Sequence, residues 1–226
     1  DERGFTDEMW RKIADMGWPG LLIAEEHGGL GLGLVDMAVV MEEMGRLPFP
    51  GPFFSSAVFA TLAAQRLGAS DLLSALASGT LRGTVAIEEQ GHGDPIKRVR
   101  TRARRKGADW VLSGEKIMVL DGHSADWVIV AARTEDGIGS FLIQAPKAEA
   151  VPTLDPTRKA AYLKLEETPA EAIGPLGDHT EIWNRVVDDA AVMLSSELVG
   201  ACDASLNLAV EYAKVRVQFD RPISTF

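Results

Sequence analysis

Ile87-Glu-Glu-Gln-Gly-His-Gly-Asp94 and Lys116-Ile-Met-Val-Leu-Asp-Gly122 lie in a stretch, residues 85–133, that reads as strands broken by turn residues. The pattern extends outward over 83–173. Short β-rich runs at 83–88, 99–105, 110–113, 116–120, 127–132, 139–145 and 160–166 are separated by Gly, Asp and Pro. Regular short strands with turn signals between them predict an antiparallel barrel or sandwich. Upstream, residues 6–78 are helical in pattern. Met9, Ile13 and Met16 recur at spacings of three and four, which places them on one helix face. Thr6 suits an N-cap and Gly17-Trp-Pro-Gly20 a helix end. Further helices are expected at 35–44, 55–67 and 71–76, the last two split by Gly68. Downstream, about forty residues from Asp178 carry few helix breakers and predict one long helix. The fold class expected is α+β: helices, a β domain, then the start of a second helical domain.

The 226 residues, 46% of them hydrophobic, suffice for a real core in one or two domains. A formal charge of −10 argues against nucleic-acid binding, which needs clustered positive charge. A single cysteine, Cys202, excludes an internal disulfide framework, and a reducing cytoplasm is the expected setting. No apolar run is long enough to predict a membrane span. The charged start, Asp1-Glu-Arg-Gly4, lacks a signal-peptide layout, and further residues are expected beyond both ends.

Several motifs point to less than they first suggest. The glycines of His27-Gly-Gly-Leu-Gly-Leu-Gly33 miss the dinucleotide spacing and follow no strand, so they are expected to form a tight inter-helix turn. Gly122-His-Ser-Ala-Asp126 misses the nucleophile elbow, because Asp126 stands where a small residue is needed. Four scattered histidines and one cysteine give no metal-ligand spacing. Residues 97–106 hold seven positive charges. By the two-residue period Arg98, Arg100, Arg102 and Arg104 share a strand face, which reads as solvated or, more sharply, as a patch for phosphates. Glu42-Glu43 and Asp188-Asp189 are expected on solvated helix faces.

Three further blocks give the order a meaning. They are Gly20-Leu-Leu-Ile-Ala-Glu-Glu-His-Gly-Gly-Leu-Gly-Leu-Gly33 with Val40-Met-Glu-Glu-Met-Gly-Arg46; Gly114-x-Lys116 through Gly122-x-x-Ala125-Asp126; and Tyr212-Ala-x-x-Arg216-x-Gln218-Phe219-x-x-Pro222-Ile223. In this order and at these separations they resemble the acyl-CoA dehydrogenases over almost the whole chain. The resemblance implies an N-terminal helical domain (1–80), a middle β domain (81–176) and the start of a C-terminal helical domain (177–226). It implies FAD as cofactor and α,β-dehydrogenation of an acyl-CoA thioester, in fatty acid or sterol catabolism. A carboxylate would take the α proton and the flavin the β hydride. It also implies a homo- or hetero-oligomer, a dimer of dimers, with an electron-transfer flavoprotein as electron acceptor.

The chain departs from the family where the flavin ring would sit. The family loop commonly reads Thr-Glu-Pro-x-x-Gly-Ser-Asp, and the matching positions here run from Glu88 and Glu89 to Asp94 and Pro95. Glu88 takes the place of a threonine facing the ring, and Asp94 that of a serine near the flavin and the acyl thioester. The family's Trp-Ile-Thr-Asn becomes Met118-Val-Leu-Asp121. Met118 can offer a soft apolar wall, whereas Leu120 cannot donate a hydrogen bond. Glu88 and Asp94 would bring negative charge to a ring that gains it on reduction. By contrast Arg216, Gln218 and Phe219 match the family residues that reach the flavin pyrophosphate of an adjacent subunit. The base is expected beyond Phe226. In some members it lies near Ala190, which cannot act, and Asp188 and Asp189 are turned away by the helical period. Two readings follow from the resemblance: a dehydrogenase holding its own FAD, or a flavin-poor subunit that completes a partner's FAD site. A binding or scaffold protein without flavin is a third.

Overall fold

A computed structural model describes residues 3–226. Helix α1 (Asp7–Asp15) begins at Thr6, whose hydroxyl accepts the Met9 N–H at 3.1 Å, and it buries Trp10 and Ile13. The Trp10 indole N–H donates to the Gly79 carbonyl at 2.7 Å, which ties the start of the helical layer to its end. The glycine-rich loop is the tight turn expected. Leu30 and Leu32 donate to the carbonyls of Gly20 and Leu21, both at 2.9 Å, with Gly28 and Gly31 in the left-handed region. Helices α2 (Leu34–Arg46), α3 (Thr61–Arg66) and α4 (Ser70–Ala77) follow the periodic segments. One difference stands out: residues 53–60, Phe53–Ala60, form a π-helix rather than the start of an α-helix. Its wider turns present two serines to the sheet. Ser56 accepts the Gly83 N–H, and Ser55 reaches Asp121.

The sheet is largely antiparallel and closes on itself. Its strands are β1 (Gly83–Ala86), β2 (Arg102–Lys106), β3 (Asp109–Leu120), β4 (Trp127–Arg133), β5 (Ile138–Gln144), β6 (Ala148–Val151) and β7 (Ala160–Ile173). The order β4-β2-β3-β7-β5 returns to β4, which makes a ring. β1 runs parallel to β4, and β2 meets β4 in parallel at Arg102 and Arg133. The two runs expected at 110–113 and 116–120 are one strand, β3, with register shifts at Leu112/Gly114 and Lys116/Val119. The short edge strand β6 escaped the sequence reading, because Ala148-Glu-Ala-Val151 is half exposed and weakly patterned.

β4 is buried on both faces, as its unbroken apolar run requires. Trp127, Ile129 and Ala131 join the helical core, while Val128, Val130 and Ala132 fill the ring with Leu112, Phe141 and Leu163. The 36-residue α5 (Thr180–Val215) extends roughly 54 Å. Its start is fixed by His179, whose ring lies 2.9 Å from Ser140 Oγ and 2.7 Å from the Pro175 carbonyl. It packs on α2, α3 and the π-helix. Gly45 of α2 and Gly200 of α5 let the two backbones touch, since a Cβ on either would strike the carbonyl of Glu197 or Glu42. Beyond Gly200, Leu206, Leu208, Tyr212 and Val215 are exposed. Among the described residues no helix is long and apolar enough to cross a membrane.

Candidate functional site

The two segments singled out in the sequence are stitched together. Lys116, on the middle of β3, has a side chain with 0% exposure. Its ammonium donates to the Ile87 carbonyl at 3.0 Å and to Glu89 at 2.7 Å. The Glu89 carboxylate also accepts the N–H groups of Arg100 at 2.7 Å and Thr101 at 3.0 Å. Burial pushes Lys116 down to about 8, against the opposing pull of Glu89. Burial also works to raise the Glu89 carboxyl, but Lys116 and the Thr101 N–H outweigh it and hold it below its ordinary value. The pair is therefore ionised at neutral pH. It staples the loop after β1 to β3 from both ends.

Next to the staple, β3 bulges. Ile117 donates its N–H to the Glu88 carbonyl at 2.9 Å, and the register with β7 slips between Lys116 and Val119. Met118 takes φ +50°, a strained conformation for a side-chain-bearing residue, and is 52% exposed. The bulge thus aims Met118 outward, as an apolar wall would need. Leu120 is turned the other way, against the helical core, while its carbonyl accepts the Thr84 hydroxyl at 2.6 Å.

Glu88 and Asp94 differ from expectation in one respect: neither charge is left free. Arg98 donates one guanidinium nitrogen to Glu88 and another to the Gly91 carbonyl, closing the loop across its base. Asp94 accepts the N–H groups of Ile96 at 2.9 Å and Lys97 at 3.3 Å, with the Lys97 ammonium 3.4 Å away. The Lys97 backbone N–H is the chief cause holding its carboxyl below the ordinary value. The shared face expected for Arg98 to Arg104 is also revised. β2 starts only at Arg102, so Arg98 belongs to the loop and turns inward. Arg104 and Lys106 pair with Glu167, and Arg105 lies over the Trp110 ring at 4.7 Å.

As a donor set for a flavin ring this face is depleted of side-chain hydroxyls. It holds no threonine or serine hydroxyl at the loop or bulge, and Glu88 and Asp94, which take the places of such residues, are acceptors only; the donors left to the loop are the Gln90 and His92 side chains and main-chain N–H groups.

Arg216, Gln218 and Phe219 are not brought to this face. They lie past the far end of α5, on a hairpin of β8 (Val217–Gln218) and β9 (Arg221–Pro222). Its two-residue loop, Phe219-Asp220, has both φ angles positive, at +50° and +63°, the type I′ geometry that suits a tight hairpin. Arg216 and Gln218 are exposed, and their side chains make no hydrogen bond or ion pair among the described residues. Phe219 is 86% exposed, with its ring edge-on to Phe226. An unpaired guanidinium on a fixed hairpin suits phosphate oxygens from another molecule.

Near the start of α5, Ala190 faces the core and Asp188 faces solvent. Asp189 is not the solvated residue expected, because it is half-buried and ion-paired with Arg66 of α3. An open cavity of about 1100 Å³ lies elsewhere, where β5 and β6 leave the edge of β7 uncovered, and none of the expected site residues line it. No group of side chains able to hold a metal occurs among the described residues. The Lys116–Glu89 staple and the Arg98 partner of Glu88 escaped the sequence reading. A lone lysine inside an apolar strand was the available signal for the first.

Two family models match the chain: "Acyl-CoA dehydrogenase, N-terminal domain" over residues 1–84 and "Acyl-CoA dehydrogenase, middle domain" over residues 84–168. The acyl-CoA dehydrogenase IpdE2 of Mycobacterium tuberculosis is 34% identical over the whole chain. Among solved structures, a variant of the Tcur3481-Tcur3483 steroid ACAD is 33% identical, with a TM-score of 0.88 over 100% of the chain. The ChsE4-ChsE5 complex from Mycobacterium tuberculosis is 27% identical, with a TM-score of 0.84 over 98% of it. The chain spans about three fifths of each: 59% of IpdE2, 62% of the steroid ACAD chain and 61% of the complex's chain.

Proposed function

The chain belongs to the acyl-CoA dehydrogenase family, and from that premise we propose that it is a subunit of a hetero-oligomeric, FAD-dependent acyl-CoA dehydrogenase. In this reading the assembly carries out α,β-dehydrogenation of an acyl-CoA thioester, an oxidoreductase reaction on a CH–CH bond. FAD supplies the acceptor for the hydride. The flavin is held by the partner subunit, and this chain supplies the hairpin of Arg216, Gln218 and Phe219 to its pyrophosphate. The chain's own middle face, from Glu88 to Asp94 and at Met118, is the flavin-poor one.

One observation carries the reading: Arg216 and Gln218 of the hairpin make no side-chain hydrogen bond or ion pair among the described residues, while Glu88, Glu89 and Asp94 of the middle face are each paired within the chain. Relatives in two-component complexes support it, namely the Tcur3481-Tcur3483 steroid ACAD and the ChsE4-ChsE5 complex. A bulky acyl-CoA such as a sterol side-chain thioester is the substrate class this suggests. The three-domain division at 1–80, 81–176 and 177–226 belongs to the same reading, with the catalytic base supplied from outside these residues.

The test is colour. The chain is purified alone and together with its partner subunit, and visible absorbance is recorded for both. Flavin absorbance only in the joint preparation is the expected result. A yellow homo-oligomer with one flavin per chain would sink the proposal in favour of a self-sufficient dehydrogenase. Two colourless preparations would leave a binding or scaffold protein.

A further inference from the structure

Asp121 ends β3 in a left-handed turn, φ +52°, where the helices, the sheet and α5 meet. It is 4% exposed. One carboxylate oxygen, Oδ2, accepts the Ser55 hydroxyl of the π-helix at 2.6 Å. Its main-chain N–H donates to the Lys159 carbonyl at 3.0 Å. The other oxygen, Oδ1, is buried with no hydrogen-bond partner. Across the junction, Arg158 donates Nη2 to both oxygens of Glu197 on α5, at 2.5 and 2.6 Å, and its guanidinium lies over the Phe54 ring at 5.2 Å. Its other terminal nitrogen, Nη1, is also buried and unpaired. One orphan acceptor and one orphan donor of opposite charge thus share a junction. Native structures rarely leave such groups unmet.

Burial drives the Asp121 carboxyl up to about 6, against the lowering effects of the Ser55 hydrogen bond and of the Arg158 and Lys159 charges. Those are the groups that face it: Ser55 from the π-helix, and Arg158 and Lys159 from the segment before β7. Glu197 of α5 acts on it through Arg158, and His123 lies two residues on in the same turn.

We propose that Asp121 is a proton-operated catch between the helical layer and the sheet, with Arg158 as its moving part. Protonated, Asp121 is neutral, keeps Ser55, and leaves Arg158 on Glu197. Ionised, its Oδ1 draws the free Nη1 of Arg158, and the hold of Arg158 on α5 loosens. No covalent or redox step is involved. Met118 lies three residues before Asp121 on the same strand end, so the catch sets the footing of the exposed bulge.

The experiment is a pH titration of the full chain by NMR, reading the Asp121 and Glu197 carboxyl carbons and the Arg158 Nε–H. The expected result is an Asp121 midpoint one or more pH units above the ordinary carboxylate value of about 3.9. Arg158 and Glu197 signals should move in the same window. In Asp121→Asn those movements disappear, and in His123→Gln they persist. An Asp121 midpoint at the ordinary value overturns the proposal, as does an Arg158 or Glu197 transition that survives Asp121→Asn or vanishes in His123→Gln. The wild-type titration alone decides it should Asp121→Asn fail to fold.

Discussion

The loop and bulge of residues 88–118 and the hairpin of residues 216–222 are two polar, backbone-strained regions that treat their side chains in opposite ways. In the first, the carboxylates of the loop have partners in the same chain: Glu89 with Lys116, Glu88 with Arg98, and Asp94 with its own turn. In the second, Arg216 and Gln218 are exposed, and their side chains make no hydrogen bond or ion pair among the described residues. Both spend conformational strain, at Met118 and at Phe219-Asp220. The first uses it to lift one apolar side chain out of a closed structure. The second uses it to fix a two-residue turn that holds an arginine in place. A closed region gains stability and loses donors for a ligand. An open one gains no stability from its side chains and keeps its binding capacity for another molecule. That contrast is what makes a shared site the natural reading.

The largest expected effect tests how closed the first region is. Glu89→Ala would leave the Lys116 ammonium buried without a counter-charge and two N–H groups unmet. Breaking a buried pair this way costs about 3–5 kcal/mol, to be read from urea unfolding of the isolated chain. The acid limb carries the same information. The Glu89 carboxyl lies below its unfolded value in the fold, so its contribution is present above that unfolded value and lost as pH falls through the folded one. A Glu89→Ala chain within 1 kcal/mol of wild type would mean that water already enters beside Lys116, and the region would not be closed.

Next in size is Gly200→Ala. The added methyl has no room against the Glu42 carbonyl, so α2 and α5 must part. Overpacking of this kind costs about 1–3 kcal/mol. Because α5 carries the hairpin, the variant should also weaken flavin retention in the complex without touching a hairpin residue. Full retention would show that the hairpin's position does not depend on that crossing.

Much of the fold could be read from local pattern. α1 announced itself through its Thr6 cap, although the face it buries is Trp10 and Ile13 while Met16 caps the helix exposed to solvent, and β4 through its apolar run. β3 was split in two because Gly114 looks like a turn, whereas the strand absorbs it in a register shift. The π-helix was invisible, since Phe53-Phe-Ser-Ser-Ala57 has no period that distinguishes wide turns from α turns. At the site, identity was readable but pairing was not. Glu88 and Asp94 look like free charges in sequence. Only the chain's return at Arg98 and the turn at Ile96-Lys97 show them neutralised.

A smaller effect is expected from Arg98→Ala. Its pair with Glu88 is partly exposed, so the loss should stay near 1 kcal/mol. The informative readout is local. Hydrogen exchange should speed in residues 88–98 and stay unchanged in residues 216–222. Unchanged exchange in the loop would assign its closure to the Glu89 staple alone.

The smallest effect on the isolated chain is the sharpest test of the comparison. Arg216 is exposed and makes no side-chain hydrogen bond or ion pair among the described residues, so Arg216→Ala should shift stability by no more than about 0.5 kcal/mol. Within the proposed complex the same change would remove a charge-assisted hydrogen bond to phosphate, worth about 1.5–3 kcal/mol. Flavin retention should then fall roughly 10- to 100-fold. Arg216→Lys keeps the charge but not the two-pronged geometry and should fall between. The two readouts must separate. If the isolated chain loses stability as much as the complex loses flavin, Arg216 has a partner within its own chain, and the hairpin is no more open than the loop it is contrasted with.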